Sequence, residues 1–214
     1  MSSRRFSTAD RIIINLDRAV RSIQGKNPGS GRPSPAQDQD ADVMSARARR
    51  TSAALMRMNH AGEVAAQALY HGQALTATDP ALRRAMEQAA REEDDHLRWC
   101  RQRLDELEGR TSLLDPFWYA GALTFGAIAG IAGDRVNLGF LAETEHQVVA
   151  HLEDHLAKLP ESDARSRAVL AQMREDEAAH ARTAEDRGAV DLPPLVKRAM
   201  RFASRVMTRT AYYI

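Results

Sequence analysis

In residues 93–96 and 177–180 a histidine lies three residues after a glutamate, Glu93 to His96 and Glu177 to His180. Side chains three positions apart on an α-helix lie on one face, so the carboxylate and the imidazole of each pair can reach one metal ion. Two such motifs, each joined to a glutamate from a neighbouring helix, are the ligand pattern of two-metal carboxylate sites in helical bundles. The next question is which glutamates complete the pattern.

The partner glutamates follow from helix register around the predicted turns. Glu63 lies 15 residues before the turn centred near Thr78, and Glu93 lies 15 residues after it. At about 1.5 Å per residue both are roughly 22 Å from the turn, and they therefore lie side by side. The second half of the chain repeats this arrangement, because Glu145 and Glu177 each lie 16 residues from the centre of the next turn.

Glu143 is the nearest alternative to Glu145. Two positions along a helix are about 200° apart, so only one of the two side chains can face the core. Glu145 shares a face with the apolar residues Val148, Val149 and Leu152, whereas Glu143 does not. We therefore choose Glu145. The predicted metal ligands are Glu63, Glu93, His96, Glu145, Glu177 and His180.

The ligand types indicate which metal the site would hold. A single Glu-x-x-His in a chain with 28% charged residues is usually a solvated pair, but two at matched helical height are a rarer coincidence. Four carboxylates buried together without cations would be very costly, and two divalent ions would neutralise them. Oxygen and imidazole ligands favour iron or manganese over a thiolate-seeking metal. The single cysteine, Cys100, excludes a four-cysteine site within one chain.

The elements that must position these residues are helices. Aromatic residues make up only 5% of the 214 residues, and no segment alternates apolar and polar residues as a strand would. Asp79-Pro80 and Asp115-Pro116 each predict an N-cap followed by a first-turn proline. The sequence therefore predicts an all-α, ferritin-like four-helix bundle with additional amphipathic helices. The net charge of +1 gives no overall attraction to nucleic acid.

Four segments divide the chain. Residues 1–24 contain apolar residues at helical spacing and predict an amphipathic helix. Residues 25–43 are rich in Gly and Pro and predict a flexible linker, and residues 44–191 form the predicted bundle. Residues 192–214 carry five basic residues and no acid, with a stripe formed by Leu195, Ala199, Phe202, Val206 and Tyr213. A basic amphipathic helix of this kind favours a membrane surface, with docking onto the bundle as the alternative.

Residues 116–133 form the longest uncharged run. As a helix the run would be roughly 27 Å long, which is borderline for crossing a bilayer. Gly126 and Gly130 form a small-xxx-small pair, which would also let helices approach closely inside a bundle. Three interpretations therefore stay open for this run: buried core, a surface that faces a membrane, and a membrane span.

The sequence from Asn59 to Glu63, Asn-His-Ala-Gly-Glu, followed by Tyr70 and the first Glu-x-x-His, resembles the demethoxyubiquinone hydroxylase family of ubiquinone biosynthesis. The resemblance continues through Glu145, His151 and the second Glu-x-x-His, and covers about residues 50–214. It implies that the six predicted ligands hold two iron ions per chain. It also implies a dioxygen-dependent monooxygenase that hydroxylates the ring of a prenylated demethoxyubiquinol using two electrons. One departure is Leu152, where the family often has Tyr.

The residues around the predicted ligands supply further candidates. Glu92 and Asp176 each precede a ligand glutamate, where a carboxylate can orient a metal-bound imidazole. Tyr70 and His151 can donate hydrogen bonds near the site, and with Asp176 they are the predicted catalytic residues. The other histidines are interpreted as surface or cap residues: His60, His71, His146 and His155.

The resemblance also implies partners and a location. NADH is the electron donor it suggests, and the expected partners are the prenylated quinol, dioxygen, a membrane surface, a lipid-binding accessory protein and a second copy of the chain, with no nucleic acid. The protein is expected to be peripheral, on the cytoplasmic face of the cell membrane. Two alternatives stay open: a ferritin-like protein that handles iron or detoxifies peroxide, and a di-iron hydroxylase of transfer RNA.

Overall fold

The computed structural model describes residues 17, 19–23, 27–40 and 43–214. Within these ranges the chain is helical and contains no strand, which confirms the predicted all-α class. The predicted helix near the N-terminus lies largely outside the described residues, and its described part, residues 19–23, is helical. Six α-helices follow: α1 (Ala46–Thr76), α2 (Pro80–Glu106), α3 (Asp115–Ile131), α4 (Asp134–Lys158), α5 (Ala164–Asp186) and α6 (Pro194–Tyr213).

The sequence predicts two N-caps, Asp79 and Asp115. The structure agrees with the first and differs from the second. Asp79 caps α2 by accepting a hydrogen bond from the backbone N–H of Ala81 at 2.8 Å, as predicted. The prediction that Asp115 caps the next helix is wrong. Leu114 is the N-cap, and Asp115 is the first helical residue. Its buried carboxylate lies 3.2 Å from Nδ1 of His60 on α1, so a tertiary contact replaces the local cap.

Helices α1, α2, α4 and α5 form the four-helix bundle, in which α1 packs beside α2 and α4 packs beside α5. Two apolar clusters fill its ends. One contains Met56, Leu104 and Leu170, and the other contains Tyr70 and Met86. The predicted metal ligands lie between these clusters along the bundle axis.

Helix α3 crosses α1 at very short range. A Cβ added to Gly126 would overlap the carbonyl of Leu69, and one added to Gly72 would overlap the carbonyl of Leu123, so both positions require glycine. The opposite face of α3 is apolar and exposed, at Phe117, Phe125, Ile128 and Ile131. The run 116–133 therefore packs on the bundle through its small residues and Tyr119, and it presents Phe117, Phe125, Ile128 and Ile131 outward. No helix among the described residues has the length and apolar character that a membrane span requires.

Helix α6 lies against α1 and α4 and buries little of itself. Its buried residues are Thr208 and Ala211, and Nη1 of Arg57 on α1 donates to the carbonyl of Tyr212 at 3.0 Å. The predicted apolar stripe of this helix is exposed, at Leu195, Ala199, Phe202, Val206 and Tyr213. The helix thus docks on the bundle with its apolar side turned away from it.

The segment predicted as a flexible linker packs on the bundle instead. Residues 27–40, which we call the strap, lie along α2 and α5 and include a turn of 3₁₀-helix at Pro35–Asp38. Asn27 donates to Asp94 of α2 at 2.8 Å, and Ala36 is buried in the core. Gly and Pro composition predicts a loop correctly, but it does not reveal that acidic side chains of α2 bind this loop.

Candidate metal centre

The structure brings all six predicted ligands together at one level of the bundle. One glutamate comes from α1, one from α4, and a Glu-x-x-His pair from each of α2 and α5. Five of the side chains are at most 3% exposed, and His180 is 12% exposed. Their ligand atoms form two groups, each of which could hold one metal ion. The groups are Glu63, Glu93, His96 and Glu177, and Glu93, Glu145, Glu177 and His180.

The first group surrounds Nδ1 of His96. This nitrogen lies 3.0 Å from Oε1 of Glu177, 3.2 Å from Oε2 of Glu93 and 3.5 Å from Oε2 of Glu63. Three carboxylates from three helices therefore converge on one imidazole nitrogen. The spacing leaves a common point that a single cation could share with all four side chains.

The second group is built around His180 and contains two of the same carboxylates. Nδ1 of His180 lies 3.2 Å from Oε2 of Glu177 and 3.4 Å from Oε1 of Glu93. Glu145 completes this group, and its Oε1 accepts a hydrogen bond from the Tyr70 hydroxyl at 2.6 Å. Because Glu93 and Glu177 belong to both groups, they lie where carboxylates bridging two metal ions would lie.

A carboxylate that directly precedes the other Glu-x-x-His motif contacts the outer nitrogen of each imidazole. Nε2 of His96 lies 2.9 Å from Asp176 on α5, and Nε2 of His180 lies 2.8 Å from Glu92 on α2. A carboxylate can only accept, so Nε2 is the protonated nitrogen that donates, and Nδ1 faces the cluster. Such an outer contact fixes the tautomer in which the ring can bind a metal.

The charges of the cluster are unbalanced without cations. Burial raises the pKa of Glu63 and of Glu145 well above the ordinary value, and neighbouring carboxylates raise it further. Burial opposes charge on His96, but the carboxylates of Asp176 and the cluster glutamates, which accept from its ring, raise its pKa well above the ordinary value. One oxygen of each cluster glutamate has no hydrogen-bond partner among the described residues: Glu63 Oε2, Glu93 Oε1, Glu145 Oε2 and Glu177 Oε1. Buried acceptors without donors fit divalent cations.

The rotation argument that separates Glu145 from Glu143 agrees with the structure. Glu143 is also buried, but it turns towards α6, where its carboxylate lies 3.3 Å from Arg201 and 3.4 Å from Lys197. Glu145 turns into the cluster. The two carboxylates, two positions apart, therefore serve different neighbours, one binding α6 to the bundle and the other completing the candidate site.

The three predicted catalytic residues have different positions. Tyr70 and Asp176 contact the cluster directly, as described above. His151 is not one of the described residues that contact the cluster. Its ring packs edge-on against the ring of His155, with 4.7 Å between the two ring centroids. Six residues separate His151 from Glu145, a rotation of about 240° that turns it to another face of α4. A catalytic role for His151 stays a prediction.

Two histidines interpreted as surface or cap residues are buried, and that interpretation is wrong for them. His60 is fully buried beside Asp115 of α3, and His155 is 1% exposed with its Nδ1 2.9 Å from Oδ1 of Asn59. Burial lowers the pKa of His155 to about 3. Both histidines lie one or two turns from large apolar neighbours on their helices, a signal that the sequence analysis did not use.

Sequence reasoning also missed Arg32 in the strap, whose guanidinium lies 2.6 Å from Asp176. No periodic pattern surrounds this residue, so nothing local in the sequence indicates its contact.

A cleft of about 220 Å³ reaches the candidate site from one end of the bundle. Its lining comes from residues near the start of α2, near the start of α4 and near the end of α5, together with His180, Glu92 and Tyr70. Its walls are mainly apolar and include Leu82, Met86, Leu138, Leu141 and Ala184. The second ligand group is therefore the one that a molecule entering this cleft would meet first.

Comparison with known proteins places this arrangement in a family. Residues 50–211 match the family model described as ubiquinone biosynthesis protein COQ7. The chain is 56% identical over 214 residues to a protein of Nitrosococcus oceani, covering 100% of both chains. It is 54% identical to a protein of Ralstonia pickettii, covering 96% of this chain and 99% of the other, and 56% identical to one of Cupriavidus necator, covering 96% and 100%. All three are named 3-demethoxyubiquinol 3-hydroxylase. The chain belongs to the COQ7 family of ubiquinone biosynthesis proteins.

Proposed function

We propose that this protein is a 3-demethoxyubiquinol 3-hydroxylase, a monooxygenase that adds one oxygen atom to the ring of a prenylated quinol. The observation that carries the proposal is the pair of ligand groups that share Glu93 and Glu177. Relatives of the same length, matched over nearly the whole of both chains, carry that activity in their names.

The six residues of the two groups are the ligands we propose for two iron ions. Glu63 and His96 would hold one iron and Glu145 and His180 would hold the other, and Glu93 and Glu177 would be available to both. When bound, the iron pair supplies the redox chemistry that divides dioxygen between the quinol ring and water. Each turnover consumes one dioxygen, two electrons and two protons, and it forms one hydroxyl group on the ring and one water molecule. NADH is the electron donor we propose.

The protein's own contribution is orientation and exclusion of water. The Tyr70 hydroxyl donates to Oε1 of Glu145, which leaves Oε2 of that carboxylate for the metal. Asp176 and Glu92 hold the two imidazoles with Nδ1 turned inward. Apolar clusters lie on both sides of the site along the bundle axis and limit the access of bulk water to it.

The apolar cleft is the route we propose for the quinol ring. Its inner end is formed by His180 and Tyr70, so a ring held there would lie next to the second ligand group. The cleft opens at the end of the bundle where α3 passes into α4 and where α6 begins after α5. Exposed apolar residues of α3 and α6 lie at that end, namely Ile128 and Ile131 of α3 and Leu195 of α6.

These exposed faces support peripheral binding to the cytoplasmic face of the cell membrane. Large apolar side chains in contact with water are costly unless another apolar phase covers them. The prenyl tail of the substrate partitions into lipid, and an entrance at the lipid surface would let the ring leave the bilayer directly into the cleft. The exposed basic residues Arg198, Arg205 and Arg209 of α6 would favour anionic lipid. A lipid-binding accessory protein and a homo-oligomer stay predictions.

The test is turnover by the purified, iron-loaded protein with a reductant and a demethoxyubiquinol. We expect the product to gain one oxygen atom from isotopically labelled dioxygen, measured by mass spectrometry. Glu145→Ala should abolish this incorporation, and Glu143→Ala should retain most of it. Rapid loss of dioxygen or peroxide without ring hydroxylation would favour an iron-handling or detoxifying protein and contradict the proposal.

A further inference from the structure

The strap is bound to α2 by the buried carboxylate of Asp95. Oδ1 of Asp95 accepts from the backbone N–H of Gly31 at 3.2 Å, and Oδ2 accepts from the backbone N–H of Ser30 at 3.1 Å and from its hydroxyl. Gly29 has a φ of +62°, and a Cβ there would overlap the same carboxylate. The turn at residues 29–31 is therefore shaped around Asp95, and it fixes where the next side chains of the strap point.

Arg32 follows this turn and reaches across to α5. Its Nη2 donates to Oδ2 of Asp176 at 2.6 Å and lies 3.4 Å from Nε2 of His96. Its Nε lies 3.6 Å from Asp95, and its guanidinium carbon lies 4.9 Å from the centre of the Trp99 ring. Contacts on three sides hold the guanidinium between the two helices that carry the Glu-x-x-His motifs.

Asp176 is the point where this contact meets the candidate metal centre. Its Oδ2 is shared by the guanidinium of Arg32 and by Nε2 of His96, and its Oδ1 accepts from Gln172 at 3.0 Å. A carboxylate with fixed donors on both oxygens cannot rotate away from the imidazole. Arg32 also compensates a negative charge that would otherwise add to the four carboxylates of the cluster.

Glu92, the corresponding carboxylate behind His180, accepts no hydrogen bond from an arginine among the described residues. Glu92 is 33% exposed, borders the cleft, and accepts from His180 and from the amide of Gln88 at 3.1 Å. The contact between Arg32 and Asp176 is therefore a feature of one ligand group only. The two groups have similar inner ligands but different outer surroundings.

We propose that Arg32 is a positioning residue for the His96 metal site, acting through Asp176, and that it makes the two metal sites unequal in affinity. The inference rests on the proposed two-metal function. Without Arg32 the Asp176 carboxylate is free to turn towards water, and the His96 ring loses the partner that keeps Nδ1 facing the cluster. The strap, although it contributes no ligand, thereby completes one of the two sites.

The test is titration of the full-length apo-protein with Co²⁺, followed by calorimetry and by the visible spectrum of the bound metal. Wild-type protein should bind two Co²⁺ per chain. Arg32→Gln should weaken one binding step by about 10- to 100-fold, the range known for residues that support metal ligands, and leave the other unchanged. Arg32→Lys should restore part of the loss, because a lysine ammonium keeps the charge but lacks the guanidinium geometry.

Two variants separate positioning from general stability of the strap. Arg98→Gln removes a donor to Asp95 and to the carbonyl of Arg32 but no contact with Asp176, so both Co²⁺ affinities should stay unchanged. In an Asp176→Asn background, Arg32→Gln should have little further effect, because the residue through which it acts is already altered.

The possible results have distinct meanings. Unchanged affinities in Arg32→Gln, or equal weakening of both steps in Arg32→Gln and in Arg98→Gln, would overturn the inference about Arg32 while leaving the two-metal site intact. A wild-type protein that binds fewer than two Co²⁺ would contradict the proposed function itself, and the inference with it.

Discussion

Removing the metal ions should make the stability of this protein depend steeply on pH. Burial raises the pKa of Glu63 and Glu145 well above 4.5, so the folded apo-protein keeps two protons that the unfolded chain releases above that pH. Each proton held in excess by the folded state lowers the free energy of unfolding by about 1.4 kcal/mol per pH unit. The two carboxyl groups together should therefore cost the apo-protein about 2.7 kcal/mol between about pH 5 and about pH 6.

Metal loading should reverse this trend. Divalent ions displace the carboxyl protons and also the protons on His96 and His180, so affinity for metal rises with pH. The free energy of unfolding of the loaded protein should exceed that of the apo-protein by an amount that grows with pH. Urea unfolding followed by circular dichroism, with apo-protein and Mn²⁺-loaded protein at several pH values, measures both free energies.

A double variant isolates the two carboxyl groups. Apo-protein with Glu63→Gln and Glu145→Gln holds no excess protons at these two positions, so its stability should fall less steeply with pH than that of wild-type apo-protein, by about 2.7 kcal/mol per pH unit. Glu143→Gln, which changes a carboxylate outside the cluster, should keep the wild-type slope. Parallel stability profiles for wild-type and double-variant apo-protein would refute the reasoning.

Three further predictions concern activity, membrane binding and acid stability. Glu145→Ala should abolish quinol hydroxylation and Glu143→Ala should reduce it only mildly, as measured by product formation at saturating iron. Phe202→Ser should weaken sedimentation with anionic vesicles by about 30-fold, from about 2 kcal/mol of lost apolar burial. Val43→Ser, which changes an exposed apolar residue outside α3 and α6, should not. Burial lowers the pKa of His155 to about 3, so the folded state stays neutral at this residue while the unfolded chain binds a proton below about pH 6.5. The free energy of unfolding of the wild-type protein should therefore fall by about 2 kcal/mol by about pH 5. In acid unfolding, His155→Gln should lose less than this.

The parts of the fold and site that could be predicted from sequence are those that follow from helical periodicity. Register about the turn at Thr78 places Glu63 beside Glu93, and a rotation of about 200° separates Glu143 from Glu145. Both are properties of one or two helices at a time. The role of His151 stays a prediction, because a rotation of about 240° over six positions turns it to another face of α4 than Glu145.

The parts that could not be predicted depend on contacts between distant segments. Asp115 has the sequence context of an N-cap, but it lies buried beside His60, 55 positions earlier in the chain. The strap has the composition of a flexible linker, and its order arises from Asp95, which from sequence is one more acid in a charged helix. Propensity describes what a segment does alone, and tertiary partners decide these cases.

Hydropathy does not predict which face of α3 or of α6 packs on the bundle, and the orientation of these two helices is relevant to function. A hydrophobic pattern identifies an amphipathic helix but does not say which side meets the rest of the protein. In α3 the glycines make the closest approach to α1, and Tyr119 is buried beside them. In α6 the buried residues are Thr208 and Ala211, and most of the other large apolar side chains of both helices are exposed. A surface in water would favour the opposite arrangement. It is the arrangement expected if the medium on that side is lipid, and the cleft to His180 opens at the same end of the bundle.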